Sequence, residues 1–487
     1  MNIRVRFAPS PTGSLHIGGV RTALFNYLFA LKNHGKFILR IDDTDPARSK
    51  KEYEEAIIDD LKWFELSWEE FYRQSERKDL YEKALNTLKE KGLIFECYCS
   101  EEEILKSREL SIKSGRPYIY NGRCLKLGPD EKSTLTEKYR KMGIRPSIRL
   151  HTHGVGIRIA EFNDMVHGHI SFNTDLIGDF ILKTEKDRFT YNFASIIDDL
   201  EMGITHVIRG EDHLPNTPKQ VLILKALGRD IPEFAHISLL YGKDGKIMSK
   251  RDDSSDISYY RKEGYLPGAI LNYLAITGNT FIKKEIFSGI GEMAPIFDIT
   301  RTKSSGAVFD EGKLKFINEK WLDSISPRDL FETIIKKFES SVLIEVEREY
   351  GTDGAVKILD FLKREVKTVS SLIEELKIFS GDFPRPEKTM ENYHKLDNLR
   401  LALKKKLENT PPGIFADSGL RIGPWDYFNE IYLKRIIDET SRETSANPKE
   451  CYETLRFYLT GKEDGPSILK IASLLGEKRV IGRLSLL

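Results

Sequence analysis

Two short polar stretches carry the residue types that phosphate chemistry uses. In "PTGSLHIGGV" (residues 11–20), His16, Gly18 and Gly19 stand where a helical pattern begins. A helix start presents backbone N–H groups with no intrahelical acceptor and the positive end of the macrodipole, and both stabilise an arriving anion. An imidazole N–H adds a donor for a phosphate oxygen, and glycine lacks the Cβ that would hold a flat base off the backbone. By itself the stretch reads equally well as a Gly/Pro turn with a surface histidine, and the dinucleotide-binding fingerprint is absent. The second stretch, "DGKIMSKRDD" (residues 244–253), is a loop carrying Lys246, Lys250 and Arg251. Alone, it is most simply a solvated basic loop.

A third cluster offers soft metal ligands. Cys97 and Cys99 in "CYC" are followed by Cys124, while Cys451 stands apart and reads as helix core. Tetrahedral zinc needs one ligand more, and a buried group of reduced cysteines is the alternative. Four cysteines in 487 residues are too few for a disulfide scaffold.

The elements that must position these groups follow from periodicity. "IRVRFAP" alternates as a strand does, and "GGVRTALFNYLFALKNHG" places Val20, Leu24, Tyr27 or Leu28, and Leu31 on one helical face, with Gly35 as the stop. "KFILRIDD" is the next strand, so residues 3–42 form the strand-helix-strand unit of a parallel sheet. Helices at "YEEAIIDDLKWF" and "DLYEKALNTLKEKG" lead to the strand "LIFECYC". From Ser100 to Lys183 short, β-rich pieces punctuated by Gly and Pro read as an insertion. Sheet grammar resumes with strands around "FASIID" and "THVIRG" and a helix at "TPKQVLILKALG". Beyond Ser326 the chain is helical: Ser326 and Pro327 open one helix, and Asn447, Pro448, Glu450 and Gly461 cap another.

The predicted fold class is therefore multidomain α/β, a doubly wound parallel sheet with an α+β insertion followed by all-α C-terminal domains. The expected boundaries are 1–99 and 184–250 for the two halves of the sheet domain, 100–183 for the insertion, 251–325 for a connecting domain and 326–487 for the helical region. A net charge of +1 means that any nucleic-acid partner must be held by local basic surfaces. "YHKLDNLRLALKKKLENT", with Lys395, Arg400, Lys404, Lys405 and Lys406, offers such a surface, although a run of this kind is usually a solvated helix face. There is no apolar N-terminal core of signal-peptide length and no run of about 18 apolar residues. The expectation is a cytoplasmic protein without membrane contact.

Taken together, the "HIGG" after the first strand and the "MSKR" after the last one resemble the HIGH and KMSKS signatures of class I aminoacyl-tRNA synthetases. Over essentially the whole chain, "FAPSPTGSLHIGGVRTALFNYLFA", "RIDDTDPAR", "YNGRC", "THVIRGEDHLPNTPKQ", "GYLPGAILNYL" and "TGKEDGPSILKIASLLGEKRVIGRL" resemble, in order, the motifs of bacterial-type glutamyl-tRNA synthetases. The resemblance implies a Rossmann-type catalytic sheet, ATP and Mg²⁺, L-glutamate and tRNA(Glu) as partners, a monomer, and a helical anticodon-binding region. It leaves open whether tRNA(Gln) is charged as well. The implied reaction is attack of the α-carboxylate on the α-phosphate of ATP, then transfer to the 2′-hydroxyl of the terminal adenosine of the tRNA.

The same resemblance assigns roles by position. ATP falls to His16, Gly18, Gly19, Asp212, Met248, Ser249 and Lys250, with His16 and Lys250 catalytic. Glutamate falls to Arg6, Ala8, Ser10, Asp42, Tyr191 and Arg209. A carboxylate is best read by planar guanidinium groups with a hydroxyl beside them, as Arg6, Tyr191 and Arg209 would supply. Glutamine would leave such groups buried without an opposite charge, at a cost of several kcal/mol, roughly. For Arg6 and Arg209 taken singly, a structural ion pair is as good a reading. Asp42 stands where the family usually has glutamate, and Ile247 where its motif has the first lysine. Zinc-binding relatives often place a histidine two residues after the third cysteine, where Lys126 stands here. Tyr120 is the substitute, making Cys97, Cys99, Tyr120 and Cys124 a structural Zn²⁺ site.

Two related readings, a glutaminyl-tRNA synthetase and a glutamyl-queuosine-type synthetase, call respectively for a β-barrel anticodon module and an end near residue 300. The helical third argues against both. A non-catalytic tRNA-binding relative would have no need of His16, Gly18, Lys250, Arg6 and Arg209 together. If Lys250 meets charge developing on the phosphates, Lys250→Ala lowers the activation rate by about 10²-fold or more, the scale of one preorganised electrostatic contact. An unchanged pre-steady-state activation rate would remove Lys250 from the mechanism.

Overall fold

The computed structural model describes every residue except 1, 116–117, 249–255, 281–283, 382, 384–392, 411–427 and 487. The chain forms two units, residues 1–260 with 267–317 and residues 261–266 with 318–487. In the first, the order is β1 (Arg4–Phe7), α1 (Ile17–Lys32), β2 (Lys36–Ile41), α2 (Lys51–Trp63), β3 (Glu70–Arg73), α3 (Lys78–Glu90), β4 (Ile94–Cys97), α4 (Glu101–Lys113), α5 (Pro129–Lys141), β5 (Ser147–Leu150), β6 (Ile159–Asp164), β7 (Gly168–Asn173), β8 (Ile181–Lys183), α6 (Tyr191–Glu201), β9 (His206–Gly210), α7 (Thr217–Leu227) and β10 (Glu233–Ile237). β11 (Leu240–Tyr241), α8 (Ile257–Lys262), α9 (Pro267–Ile276), α10 (Ile290–Ile296), β12 (Ala307–Val308) and α11 (Glu311–Ser324) follow.

β1, β2 and β3 pair in parallel in that order, and β9, β10 and β6 form a second parallel set with β7 antiparallel at its edge. The two sets meet where β1 lies beside β9: Thr205 N–H donates to the Arg4 carbonyl at 3.0 Å, and Arg4 N–H to the Thr205 hydroxyl at 2.9 Å. This is the point at which a doubly wound sheet reverses its strand order and opens a crevice beyond the strands' carboxyl ends. The hydrophobic core packs Phe193, Ile196, Ile197, Val207, Leu222 and Phe234 together, joining α6 and α7 to the second set.

The structure redraws several expected elements. "FASIID" lies in helix α6 and not in a strand; a short apolar run buried nearly all round carries no period that separates the two. The helix turns the consecutive Asp198 and Asp199 inward, where both are buried. β3 was not expected at all. Leu31, expected on the buried face of α1, is exposed, while the rest of that helix is covered on most sides, with α9 and α10 against it. At the end of α1 the left-handed position belongs to His34 (φ 51°), not Gly35. Glycine is required at 35 because a Cβ there would stand 2.5 Å from the Ile3 carbonyl oxygen, against the start of β1.

The insertion is less β-rich than its punctuation indicates. α4 and α5 bury none of their residues, so no apolar stripe announces them. Their caps do: the Ser100 hydroxyl accepts from Glu103 N–H while Glu103 accepts from Ser100 N–H, and Pro129 opens α5. β4, β5 and β8 form a separate antiparallel sheet. The β6–β7 hairpin, also within residues 100–183, joins the second parallel set alongside β10. Most of the expected connecting segment, residues 267–317, belongs to the first unit.

In the second unit, the described elements beyond α11 are helices: α12 (Pro327–Phe338), α13 (Ser341–Leu362), α14 (Val369–Leu376), α15 (Tyr393–Asn409), α16 (Glu430–Thr444), α17 (Pro448–Thr460), α18 (Ile468–Leu475) and α19 (Glu477–Leu484), with a short 3₁₀ turn at Lys377–Phe379. α12 opens with the Ser326 hydroxyl accepting from Asp329 N–H, and α17 is capped by Asn447 and Glu450 and closed by Gly461 (φ 68°), as expected. Cys451 is fully buried in α17. In the basic run of α15, Arg400 is buried and donates to Asp397 at 2.7 Å, so it supports the core and offers nothing to a phosphate. Lys406 pairs with Glu439 and Glu443, Lys405 is exposed, and the Lys395 side chain lies outside the described parts.

Candidate active site

A cavity of about 560 Å³ opens at the β1/β9 crevice, within the range of small-molecule sites. Its lining brings together Arg6, Ala8, Ser10, His16, Gly18, Gly19, Tyr191, Arg209, Asp212 and Met248 from the sequence-derived set. Ser249 and Lys250 lie outside the described residues, as does Arg251. Ile247 lines the cavity beside Met248.

At the phosphate end, His16 is the N-cap of α1. Its Nδ1 accepts from Gly19 N–H at 3.2 Å, which turns Nε2 into the ring's donor position. Gly18 has a task within the helix start itself. A Cβ there would come within 3.1 Å of Nδ1 and Cε1 of His16, so glycine gives the capping imidazole its room.

At the amino-acid end the two arginines have opposite surroundings. Arg6 grips Asp199 with two donors, Nε at 2.9 Å and Nη2 at 3.2 Å, and Arg40 shares that carboxylate at 2.6 Å. Burial works against ionisation of Asp199, but Arg6 and Arg40 outweigh it and hold its carboxyl below the usual range. Arg209 is equally buried, yet its partners are neutral: Thr217 Oγ1 at 2.7 Å, Gln220 Oε1 at 2.8 Å, His236 Nε2 at 3.1 Å and the Tyr191 hydroxyl at 3.4 Å. Among the described residues, no carboxylate forms an ion pair with it. Burial pulls its pKa below the ordinary arginine value, the signature of a cation short of an anion.

Asp42 is not part of this lining. Arg40 holds both its oxygens, at 2.6 and 3.2 Å, and burial against that partner pushes its carboxyl up to about 6. Tyr191 is the first residue of α6, not the end of a strand.

The cysteines converge at the end of β4. The Sγ atoms of Cys97, Cys99 and Cys124 lie within 4.8 Å of one another, with Cys99 and Cys124 at 3.8 Å. The Tyr120 hydroxyl stands 3.6 Å from both Cys97 and Cys99. A tetrahedral zinc with bonds of ~2.3 Å to sulfur spaces its sulfur ligands ~3.8 Å apart. The Cys99–Cys124 pair stands at that spacing, with the third thiol and the phenol close by, while Lys126 is exposed. A hydrogen bond from Cys99, aided by the Arg149 guanidinium, pulls the Cys97 thiol down toward the thiolate form that a metal binds.

Comparison with known proteins matches residues 2–316 to "tRNA synthetases class I (E and Q), catalytic domain" and residues 329–487 to an anticodon binding domain. The chain is 39% identical to a glutamate–tRNA ligase of Aquifex aeolicus, over 99% of this chain and 98% of that one. It belongs to the class I tRNA synthetases, in the glutamate–tRNA ligase family. A glutamate–tRNA ligase of Carboxydothermus hydrogenoformans is likewise 39% identical, over 98% and 99% of the two chains. Among solved structures, a glutamate–tRNA ligase from Elizabethkingia meningosepticum in complex with its amino acid superposes with a TM-score of 0.78 at 31% identity, covering 99% of this synthetase and 98% of that chain. Among the described residues, no helix of the synthetase is long and apolar enough to cross a membrane.

Sequence reasoning missed the groups that hold Arg209 and Arg6: Thr217, Gln220, His236 and Asp164 on one side, Asp199 and Arg40 on the other. Only His236 left a trace, as a histidine inside the apolar strand "FAHI". Burial pushes its imidazole down to about 4, so the folded synthetase keeps it neutral. The unfolded chain binds that proton more readily, so stability from this residue is complete above about pH 6.5 and lost as the pH falls toward about 4. Asp164, held below the usual carboxylate range, adds its own loss only at lower pH. Urea unfolding at pH 7, 5.5 and 4.5 should show this decline, and a His236→Asn variant should show less of it.

Proposed function

We propose that this synthetase joins L-glutamate to tRNA(Glu) through a glutamyl-adenylate, with Arg209 receiving the side-chain carboxylate. The observation that carries this reading is the buried, charge-unpaired Arg209 on the cavity wall, beside the Tyr191 hydroxyl. A substrate carboxylate supplies the missing opposite charge. The amide of glutamine does not, and leaves a desolvated cation uncompensated.

In this reading Arg6, already neutralised by Asp199, shapes the pocket and adds a donor without adding net charge. Asp42 acts through Arg40 to fix the charge state of that wall. Ala8 and Ser10, on the segment after β1, flank the amino acid. The triphosphate lies at the start of α1, with His16 Nε2–H and the N–H groups of the first turn toward its oxygens. Lys250, two residues after Met248 in the chain, is the residue that the family resemblance assigns to charge on the phosphates, and Mg²⁺ would supply further charge neutralisation when bound. The glutamate α-carboxylate attacks the α-phosphorus and pyrophosphate leaves. The 2′-hydroxyl of the terminal adenosine then attacks the carbonyl of the mixed anhydride and AMP leaves. Carboxylate is a competent nucleophile and pyrophosphate a good leaving group, so positioning and charge stabilisation suffice.

Pyrophosphate exchange with glutamate or glutamine, in the presence of purified tRNA(Glu) or tRNA(Gln), tests this reading. Exchange is expected with glutamate, and Arg209→Ala should lower kcat/KM for glutamate by about 10²-fold or more while affecting glutamine far less. Exchange with glutamine alone would overturn it, and the tRNA(Gln) arm shows whether the second isoacceptor is charged.

A structural zinc bound by Cys97, Cys99, Cys124 and Tyr120 is part of the proposal, since three thiols and a phenol converge here with two of the thiols buried. Protein purified without added metal is expected to carry about one zinc per chain. Far less than that would leave a reduced cysteine cluster.

A further inference from the structure

Behind Arg209 a chain of buried polar groups runs away from the cavity to the inserted hairpin. Asp164, the last residue of β6, has a fully buried side chain. Its Oδ1 accepts from the N–H groups of Val166 and His167, both at 2.9 Å. Its Oδ2 stands 2.6 Å from His236 Nδ1 and 3.1 Å from His236 N. On the other side of the ring, His236 Nε2 faces Arg209 Nε at 3.1 Å and Thr217 Oγ1 at 3.0 Å.

The protons in this chain have one consistent arrangement. Arginine Nε can only donate, so His236 Nε2 must present a lone pair. The ring proton then sits on Nδ1 and donates to Asp164, which is ionised. We infer that Asp164 and His236 are positioning residues: they lock the neutral imidazole so that it aims the Arg209 guanidinium into the cavity while keeping the Asp164 carboxylate one ring away. This rests on the reading of Arg209 as the receiver of the substrate carboxylate.

The placement of the ring decides selectivity. A carboxylate bonded to Arg209 would orient it equally well but would neutralise it, as Asp199 does Arg6, and the pocket would lose its preference for an anion. A neutral acceptor holds the fork and leaves its charge for the ligand. Asp164 works by fixing the tautomer. With an uncharged amide in its place, which can donate as well as accept, the ring is free to carry its proton on Nε2, where it would meet the Nε–H of Arg209.

A purely structural role, fastening the β6–β7 hairpin to β10, is the competing account. Two near-isosteric variants separate them. Asp164→Asn removes the charge that selects the tautomer. His236→Asn keeps a donor toward Asp164, and so the fastening, but does not reach Arg209. In tRNA-dependent pyrophosphate exchange, both variants are expected to raise KM for glutamate and to lower the glutamate-to-glutamine ratio of kcat/KM by about tenfold or more, with KM for ATP within about twofold. Folded variants with an unchanged ratio would overturn the inference, and so would failure of both to fold, which would mark the pair as a fastening. Wild-type enzyme without preference for glutamate, or an Arg209→Ala variant with unaltered preference, would instead remove the underlying reading before the variants are compared.

Discussion

A guanidinium taken out of water without an opposite charge is among the most costly groups a protein can bury, and the catalytic half of this chain is arranged around one. Every donor of Arg209 that the fold satisfies goes to a neutral acceptor, and the Phe234 ring lies 5.6 Å from its Cζ. Hydrogen bonds keep the side chain in place, and its charge stays unmatched. Arg6, on the same cavity lining, shows the contrary solution: Asp199 matches it, and a second arginine, Arg40, is tied in with Asp42. One wall of the cavity is balanced and the other is left positive. In the proposed reaction an amino acid with a carboxylate side chain completes that second wall.

The crevice exists because β1 and β9 run side by side and their following segments diverge. The segment after β1 supplies Ala8 and Ser10 and then enters α1 through His16, while the segment after β9 supplies Asp212 and leads to α7 with Thr217 and Gln220. In the proposed reaction two strand ends serve two ligand ends, one offering phosphate the backbone N–H groups of a helix start, the other offering carboxylate a guanidinium. The glycines of "HIGG" belong to the first. The small size of Gly18 lets an imidazole fold back over the helix start and cap it, while Gly19 leaves room for Leu15.

The inserted region has two structural attachments to this machinery. Its antiparallel sheet ends in the cysteine cluster, where Arg149 lies 4.1 Å above the Tyr120 ring and secures the phenol. Its hairpin β6–β7 extends the catalytic sheet and delivers Asp164 beneath the strand that carries His236. Residues that are an insertion in chain order are, in space, a supporting layer of the amino-acid pocket.

By itself, the sequence was sufficient for whatever is encoded over a few neighbouring residues. The helix starts at His16, Ser326 and Asn447, the strands of "RVRF" and "KFILRI" and the helical final third all follow from caps, alternation and short spacings, while Tyr120 as partner of the cysteines came from the family resemblance. The surroundings of each arginine came only from tertiary structure. Asp199 lies 193 residues from Arg6, and Asp164 lies 72 from His236, so no local pattern marks either pair. Which guanidinium is neutralised and which is left charged depends on how the two halves of the sheet bring distant carboxylates near one and keep them from the other. The helices α4 and α5 escaped for the opposite reason: burying nothing, they leave no apolar period in the chain. Local chemistry names the groups able to act, and long-range burial decides which of them carries an unmatched charge.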